Sequence, residues 1–288
     1  MMNNFLKKHW TQIEKVVDSA LLEDAVGDDI TTTWILPQNL EGNAHLLVNS
    51  SGIVAGLDVF TLAFKKVDST LITEHSVGDG AKVSAGQRIC SVRGSFAGIL
   101  GGERVALNFV QRLSGIATET SRYVEAIKGT KARILDTRKT TPGLRLLEKY
   151  AVTVGGGYNH RMNLQDGILI KDNHKAALKA EGIGLVEAII KVRNRLGNDM
   201  KVEVEVESIA EAEEALLAGA DVIMVDNMNI DDIRKVVTLV NGKALIEASG
   251  GITLDNVRNF AETDVDFVSI GAITHSVRIL DMSLELEV

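Results

Sequence analysis

Val202-Glu203-Val204-Glu205-Val206-Glu207 is the stretch on which the fold turns. A strand sends successive side chains to opposite faces, so the valines share one face and the glutamates the other. Taken alone, the stretch fits a half-exposed antiparallel strand with a wet face. Its surroundings favour another arrangement. From about residue 133 onward, short apolar runs at 133–136, 167–171, 201–206, 221–226, 244–248 and 266–270 alternate with amphipathic stretches at 184–196, 210–218, 230–240 and 255–263. Strands alternating with helices are the pattern of parallel βα units whose sheet is covered on both faces. In a parallel barrel the valines pack beneath helices and the glutamates point inward, where carboxylates need cations, hydrogen bonds or protons. Six runs are too few for an eight-stranded barrel. The expected fold is therefore α/β, an incomplete parallel barrel of about six strands, with a doubly wound sheet as the alternative.

The runs end in chemistry. Asp136-Thr137-Arg138-Lys139 follows the first, Lys171-Asp172-Asn173-His174 the second, and Glu205 with Glu207 the third. Asp226-Asn227, Ser249-Gly250-Gly251 and Gly271-Ala272 follow the others. Active sites of α/β barrels gather at the carboxyl ends of the strands. Polar loops occur for bland reasons too, but a series mixing acids, bases and glycines points to a site. Lys171 and the Arg138/Lys139 cluster are natural partners for inward glutamates, Mg²⁺ is another, and Glu205 is the leading carboxylate. The two glycine turns after the last strands let backbone N–H groups approach a phosphate, as helix N-termini do.

Charge narrows the ligand. The chain has a net charge of −8, yet Arg138, Lys139, His160 and Arg161 fall within Asp136–Gly143 and Gly155–Arg161. A positive cluster on an acidic background suits a small, strongly anionic ligand better than a nucleic acid. Cys90 is the single cysteine, which excludes a disulfide framework or cysteine metal cluster and suits a reducing, cytoplasmic compartment. The start carries Lys7 and Lys8 without the apolar core of a signal peptide, and no apolar run is long enough to span a membrane.

The first region, to about residue 107, has a different grammar. An amphipathic helix at 12–23 precedes a polar loop at 23–31 and several short β-like runs, one at 45–48. The turns around Val77-Gly78-Asp79-Gly80 and Ala85-Gly86 resemble a barrel-sandwich module, but Lys82 lacks the hairpin display of a lipoyl carrier, so a β-rich accessory domain is the expectation. Residues 103–118 read as a helix on which Arg104, Asn108 and Arg112 share one face, either a surface stripe or a face offered to a ligand or neighbouring subunit.

Segments 104–118, 136–143, 155–172, 202–205, 225–227, 247–252 and 269–276 together resemble quinolinate phosphoribosyltransferases, which are type II phosphoribosyltransferases, and the likeness covers essentially the whole chain. The resemblance implies a β-rich, sandwich-like N-terminal domain at 1–112, the barrel at 113–273, and a segment at 274–288 that returns to the N-terminal domain. It implies a homodimer or an assembly of dimers in which Arg104 crosses the interface, with no nucleic-acid or membrane partner. The implied reaction joins quinolinate to phosphoribosyl pyrophosphate and yields nicotinate mononucleotide, pyrophosphate and carbon dioxide. Arg104, Arg138 and Arg161 would hold quinolinate, helped by Lys139, His160 and Lys171. Ser249, Gly250, Gly251, Gly271 and Ala272 would take the 5-phosphate, with His275 near phosphate groups. Glu205 and Asp226 would take ribose hydroxyls and help place Mg²⁺, the implied cofactor; with Lys139 and Lys171 they form the implied catalytic set. A transferase acting on nicotinate, or a non-catalytic barrel that binds a phosphorylated metabolite, are the other readings.

Overall fold

The computed structural model describes residues 3–37, 39–196 and 200–287. Twelve strands run through them: β1 (Glu41–Val48), β2 (Gly52–Ile53), β3 (Ile72–His75), β4 (Lys82–Val83), β5 (Arg88–Ser95), β6 (Arg133–Leu135), β7 (Ile168–Ile170), β8 (Val202–Val206), β9 (Val222–Asp226), β10 (Leu245–Ser249), β11 (Phe267–Ser269) and β12 (Met282–Glu287). The chain forms two compact units. One comprises Met1–Ser121, Thr140–Gly156 and Ile273–Val288, the other Arg122–Lys139 and Gly157–Ala272. Neither is continuous in the chain, and the segment Ile273–Val288 groups with the first unit.

The first unit is built on an antiparallel sheet in the order β12-β1-β5-β3. Along β1, Ala44, Leu46 and Val48 are buried while the residues between them are not, the alternation of a sheet covered on one face. The helix Asn4–Glu23 starts where the Asn3 side chain accepts the Phe5 N–H at 2.8 Å, and it buries Leu6, Ile13 and Val17 along one stripe. The polar loop expected at 23–31 gives way at Ile30 to a helix, Ile30–Ile35, because Asp29 accepts the Thr32 N–H at 3.0 Å and caps it. Lys82 lies in the two-residue strand β4, paired with β2. The helix read at 103–118 is longer, Phe96–Ala126, and runs from the first unit into the second.

The second unit holds all six expected apolar runs as strands of one sheet, every pair parallel, in the order β6-β11-β10-β9-β8-β7. Numbered within this unit, that is 1-6-5-4-3-2, a continuous winding with no reversal of direction. A doubly wound sheet needs such a reversal, so that alternative is excluded. β6 and β7 end the sheet and do not pair, so the barrel is incomplete. Beyond β6 the chain adds one bridge, with the Tyr158 N–H donating to Ile134 O at 2.8 Å and the Asp136 N–H to Tyr158 O at 3.1 Å. One cavity of about 430 Å³ touches Leu135, Ile168, Glu203, Val222, Glu247 and Phe267, one residue from each strand, which requires the sheet to curl around it.

Val202, Val204 and Val206 are fully buried and Glu203 and Glu205 are each 7% exposed, so the wet-face reading of this strand is also excluded. A helix at Asp172–Ala180 has no counterpart in the expected pattern. None of its residues is buried, so no apolar period marks it; it starts instead on a box in which His174 Nδ1 accepts the Lys171 N–H at 3.0 Å.

Candidate active site

Strand register builds the site of the second unit in two layers. Glu205 stands opposite Met224, and Asp226 opposite Ser249, so Glu205, Asp226 and Ser249 share one face of the sheet at its carboxyl end. Lys171 follows the last residue of β7 and donates from Nζ to Glu205 Oε2 at 3.1 Å. Asp226 Oδ2 accepts from Asn227 Nδ2 at 2.7 Å. Two residues earlier on their strands lie Glu203 and Glu247, about 6.5 Å deeper at the rise of a parallel strand. His160 reaches them from the bridge beside β6, with Nε2 3.0 Å from Glu203 Oε2 and 3.7 Å from Glu247 Oε2.

The glycine turn above β10 is backbone-determined. Gly250 has φ of +90°, and a Cβ there would come within 2.6 Å of the Asn227 amide nitrogen, itself in a left-handed residue with φ of +54°. Gly250→Ala is expected to strain the turn by about 1–3 kcal/mol, which a thermal melt of the variant checks. Gly271 follows β11 directly before the helix Ala272–His275.

The electrostatics are sharpest around two arginines. Arg161 donates from Nη1 to Gly167 O at 3.2 Å; burial and then the neighbouring positive charge of Arg138 push its guanidinium below the usual arginine range, against an opposing pull from Glu203. The Nε of Arg138 is buried without a hydrogen-bond partner among the described residues. Adjacent cations with an unsatisfied buried donor are a seat for an anion. Below them, burial first and the Glu203 carboxylate second push Glu247 up to about 8.

Glu205 and Asp226 offer hard oxygen donors on neighbouring strand ends. One is already answered by a lysine, and the two do not form a closed cage. That donor set would suit Mg²⁺, a hard cation that takes few carboxylates and keeps much of its water. Among the described residues, the group of three ligand atoms lying within 4.8 Å of one another is a different one, His160, Glu203 and Glu247.

Arg104 and His275 belong to the first unit. Arg104 and Asn108 are exposed, so the stripe read on this helix splits at Arg112, which is partly buried. Arg112 donates to Glu148 Oε1 at 2.8 Å, to Thr274 O at 2.7 Å and to Thr141 Oγ1 at 3.3 Å, and Glu148 is fully buried. His275 is exposed, with Nδ1 2.7 Å from Ser276 Oγ. Four residues escaped the site assignment from sequence: Asp136, Glu148, Glu203 and Glu247, all buried. Glu203 carried a signal, since it alternates with Glu205 on the inward face.

Known proteins bear on this arrangement. Residues 29–114 match the family model described as quinolinate phosphoribosyl transferase, N-terminal domain, and residues 116–285 the C-terminal domain. The chain is 42% identical to a Bacillus subtilis protein named probable nicotinate-nucleotide pyrophosphorylase (carboxylating), over 96% of this chain and 93% of that one. It is likewise 42% identical to the nicotinate-nucleotide pyrophosphorylase (carboxylating) of Mycobacterium leprae, over 93% and 94%. The crystal structure of NadC from Streptococcus pyogenes superposes with a TM-score of 0.91 at 42% identity, covering 96% of this chain and 97% of that one. With both domains matched in order and the barrel carrying its acids and arginines at the strand ends, the chain belongs to the quinolinate phosphoribosyltransferase family.

Proposed function

We propose that the chain transfers the phosphoribosyl group of phosphoribosyl pyrophosphate to the ring nitrogen of quinolinate and releases pyrophosphate and carbon dioxide, leaving nicotinate mononucleotide for NAD synthesis. The observation that carries this reading is the Arg138–Arg161 pair with its unsatisfied buried donor. Quinolinate bears two adjacent carboxylates, and a guanidinium binds a carboxylate through a planar fork. Nicotinate bears one, and needs fewer cations.

In this reading Arg138, Arg161 and Lys139 hold the diacid, and a second copy of the chain supplies Arg104, which is exposed on its helix. Lys171 neutralises charge beside it. Ser249, Gly250, Gly251, Gly271 and Ala272 receive the 5-phosphate, and His275 lies toward the phosphates. Glu205 and Asp226 take the ribose hydroxyls and would hold Mg²⁺, which when bound neutralises the pyrophosphate. The pyridine nitrogen forms its bond to the anomeric carbon as the bond to pyrophosphate breaks. Positive charge grows on the ribose, and inward carboxylates stabilise it. The bond from the adjacent ring carbon to its carboxylate then breaks; the electron pair left on that carbon as carbon dioxide departs is stabilised by the neighbouring cationic nitrogen and takes a proton from water. No protein nucleophile takes part, so positioning and electrostatics supply the catalysis. The single cysteine suits a reducing cytoplasm, and no helix among the described residues is long and apolar enough to cross a membrane.

The test is a turnover assay with phosphoribosyl pyrophosphate, Mg²⁺ and either quinolinate or nicotinate, following nucleotide and carbon dioxide together. Equal release of both products from quinolinate alone is expected; turnover of nicotinate would overturn the reading of the arginines. Free nicotinate ahead of nucleotide would reverse the order of the two steps. Glu205→Gln keeps size and removes charge, so kcat is expected to fall about 100-fold with the fold intact. If circular dichroism shows it unfolded instead, Glu205 serves its ion pair with Lys171 rather than the reaction.

A further inference from the structure

We infer that the Lys175–Glu211 ion pair positions Lys171 against Glu205, by holding the helix Asp172–Ala180 to the turn after β8 while touching neither substrate. The inference rests on the reading above for the roles of Lys171 and Glu205, and on geometry for the rest.

The helix has no core to hold it. None of its residues is buried, and Lys175 and Leu178 alone are half-buried. It borders two hollows. One, of about 490 Å³, touches Asp172, Lys175, Leu178, Glu207 and Glu211; the other, of about 520 Å³, touches Ile170, His174, Ala177 and Leu178. Packing of an apolar face holds most helices in place, and here little of it is available. Polar ties take over that task. The bond from the Lys171 N–H to His174 Nδ1 ties the helix start only to itself. Two other ties reach the neighbouring strand segment. Lys171 Nζ donates to Glu205 Oε2 at 3.1 Å, and Lys175 Nζ donates to Glu211 Oε2 at 2.6 Å.

The two lysines are one helical turn apart, with the Lys175 N–H donating to Lys171 O at 2.9 Å, so they lie on one face. Their acceptors belong to one continuous stretch. Glu205 is in β8, and Glu211 is in the first turn of the helix Ile209–Leu217. Glu211 is itself fixed: its N–H donates to Ser208 Oγ at 3.2 Å, and its Oε2 accepts the Glu207 N–H at 3.1 Å. Glu207 is two residues beyond Glu205. The outer pair therefore joins the helix that starts after Lys171 to the backbone that carries Glu205. The Lys175 side chain is 21% exposed, so this is not a fully solvated surface pair.

The reaction asks different things of the two ties. In the proposed function Glu205 turns to ribose hydroxyls and Lys171 to anionic groups, so the inner pair is exchanged for substrate contacts. Lys175 and Glu211 have no such task. Once the inner pair opens, the outer pair is what keeps the helix docked.

The experiment compares the full-length parent with Lys175→Met, Glu211→Gln, the double variant and Lys175→Arg. Glu211→Gln keeps an acceptor for the Glu207 N–H and removes only the charge. In either single variant the amides of residues 175–180 are expected to exchange with deuterium roughly 10-fold faster, as a local opening. The value of kcat/KM for phosphoribosyl pyrophosphate is expected to fall about 10-fold, the size of one lost charge-assisted hydrogen bond. Melting temperatures should stay within about 1 °C, because a helix without buried residues adds little to the global transition. Lys175→Arg should recover most of both losses. The double variant should be no slower than either single one, since the two residues act through each other. Unchanged exchange, unchanged turnover despite faster exchange, a lowered melting temperature, or additive losses would each overturn the inference. Absence of quinolinate turnover by the parent would refute the proposed function, while the exchange rates still decide whether the pair holds the helix.

Discussion

Arg138→Lys raises the quinolinate KM about 10- to 100-fold and leaves the KM for phosphoribosyl pyrophosphate within about two-fold. This is the expected outcome because lysine keeps the charge but loses the fork. A hydrogen bond to a charged group contributes about 1.5–3 kcal/mol, which is 10- to 100-fold in affinity. The Arg138 Nε is buried and lacks a partner among the described residues, so the free protein already bears the cost of desolvating that donor. A ligand that satisfies it recovers this cost, whereas lysine has no donor at that point. Arg161 should stay as it is in this variant, because its guanidinium is held down partly by the positive charge at Arg138 and lysine keeps that charge, whereas Arg138→Met should bring Arg161 back toward the ordinary arginine range. Saturation curves with each substrate varied separately decide the case. Unchanged quinolinate saturation in Arg138→Lys would remove Arg138 from the acceptor site.

Arg112→Ala is expected to have the largest effect on stability. Glu148 is fully buried and its carboxylate is held by Arg112 at 2.8 Å and by the Thr141 N–H at 3.1 Å. Removing the guanidinium leaves a buried carboxylate without this cation, and breaking such a pair costs about 3–5 kcal/mol. At roughly 2–4 °C for each kcal/mol, the melting temperature should fall visibly in a thermal scan. The Thr141 hydroxyl and the Thr274 carbonyl lose a donor at the same time, so the segments beside Lys139 and His275 lose a tether. Arg112→Met combined with Glu148→Leu should restore most of the stability, because a well-packed apolar pair replaces a buried ion pair at little cost. If the single variant melts with the parent, the pair is solvated in solution and does not hold these segments.

How much of this was legible beforehand depends on the range of the signal. The six strands of the barrel were legible because apolar period and punctuation are local: Val202, Val204 and Val206 state their face within five residues. The strand-end residues Lys171, Glu205, Asp226 and Ser249 were legible because a parallel barrel places every carboxyl end on one side. The helix at Asp172–Ala180 was not, since a helix with no buried residue leaves no period to detect. The winding order was open in one dimension, where a barrel and a doubly wound sheet share the same alternation.

The sequence by itself determined the alternation of strand and helix, the residue types available at each strand end, and the family, because all three are properties of order along the chain. Tertiary structure decided which charges meet. His160 and Glu203 are 43 positions apart and Arg112 and Glu148 are 36, and nothing local specifies either contact. The curl of the sheet, the bridge at Tyr158 and the burial they impose bring these groups out of water, and it is burial that turns Glu247 from an ordinary carboxylate into an acid near neutral pH.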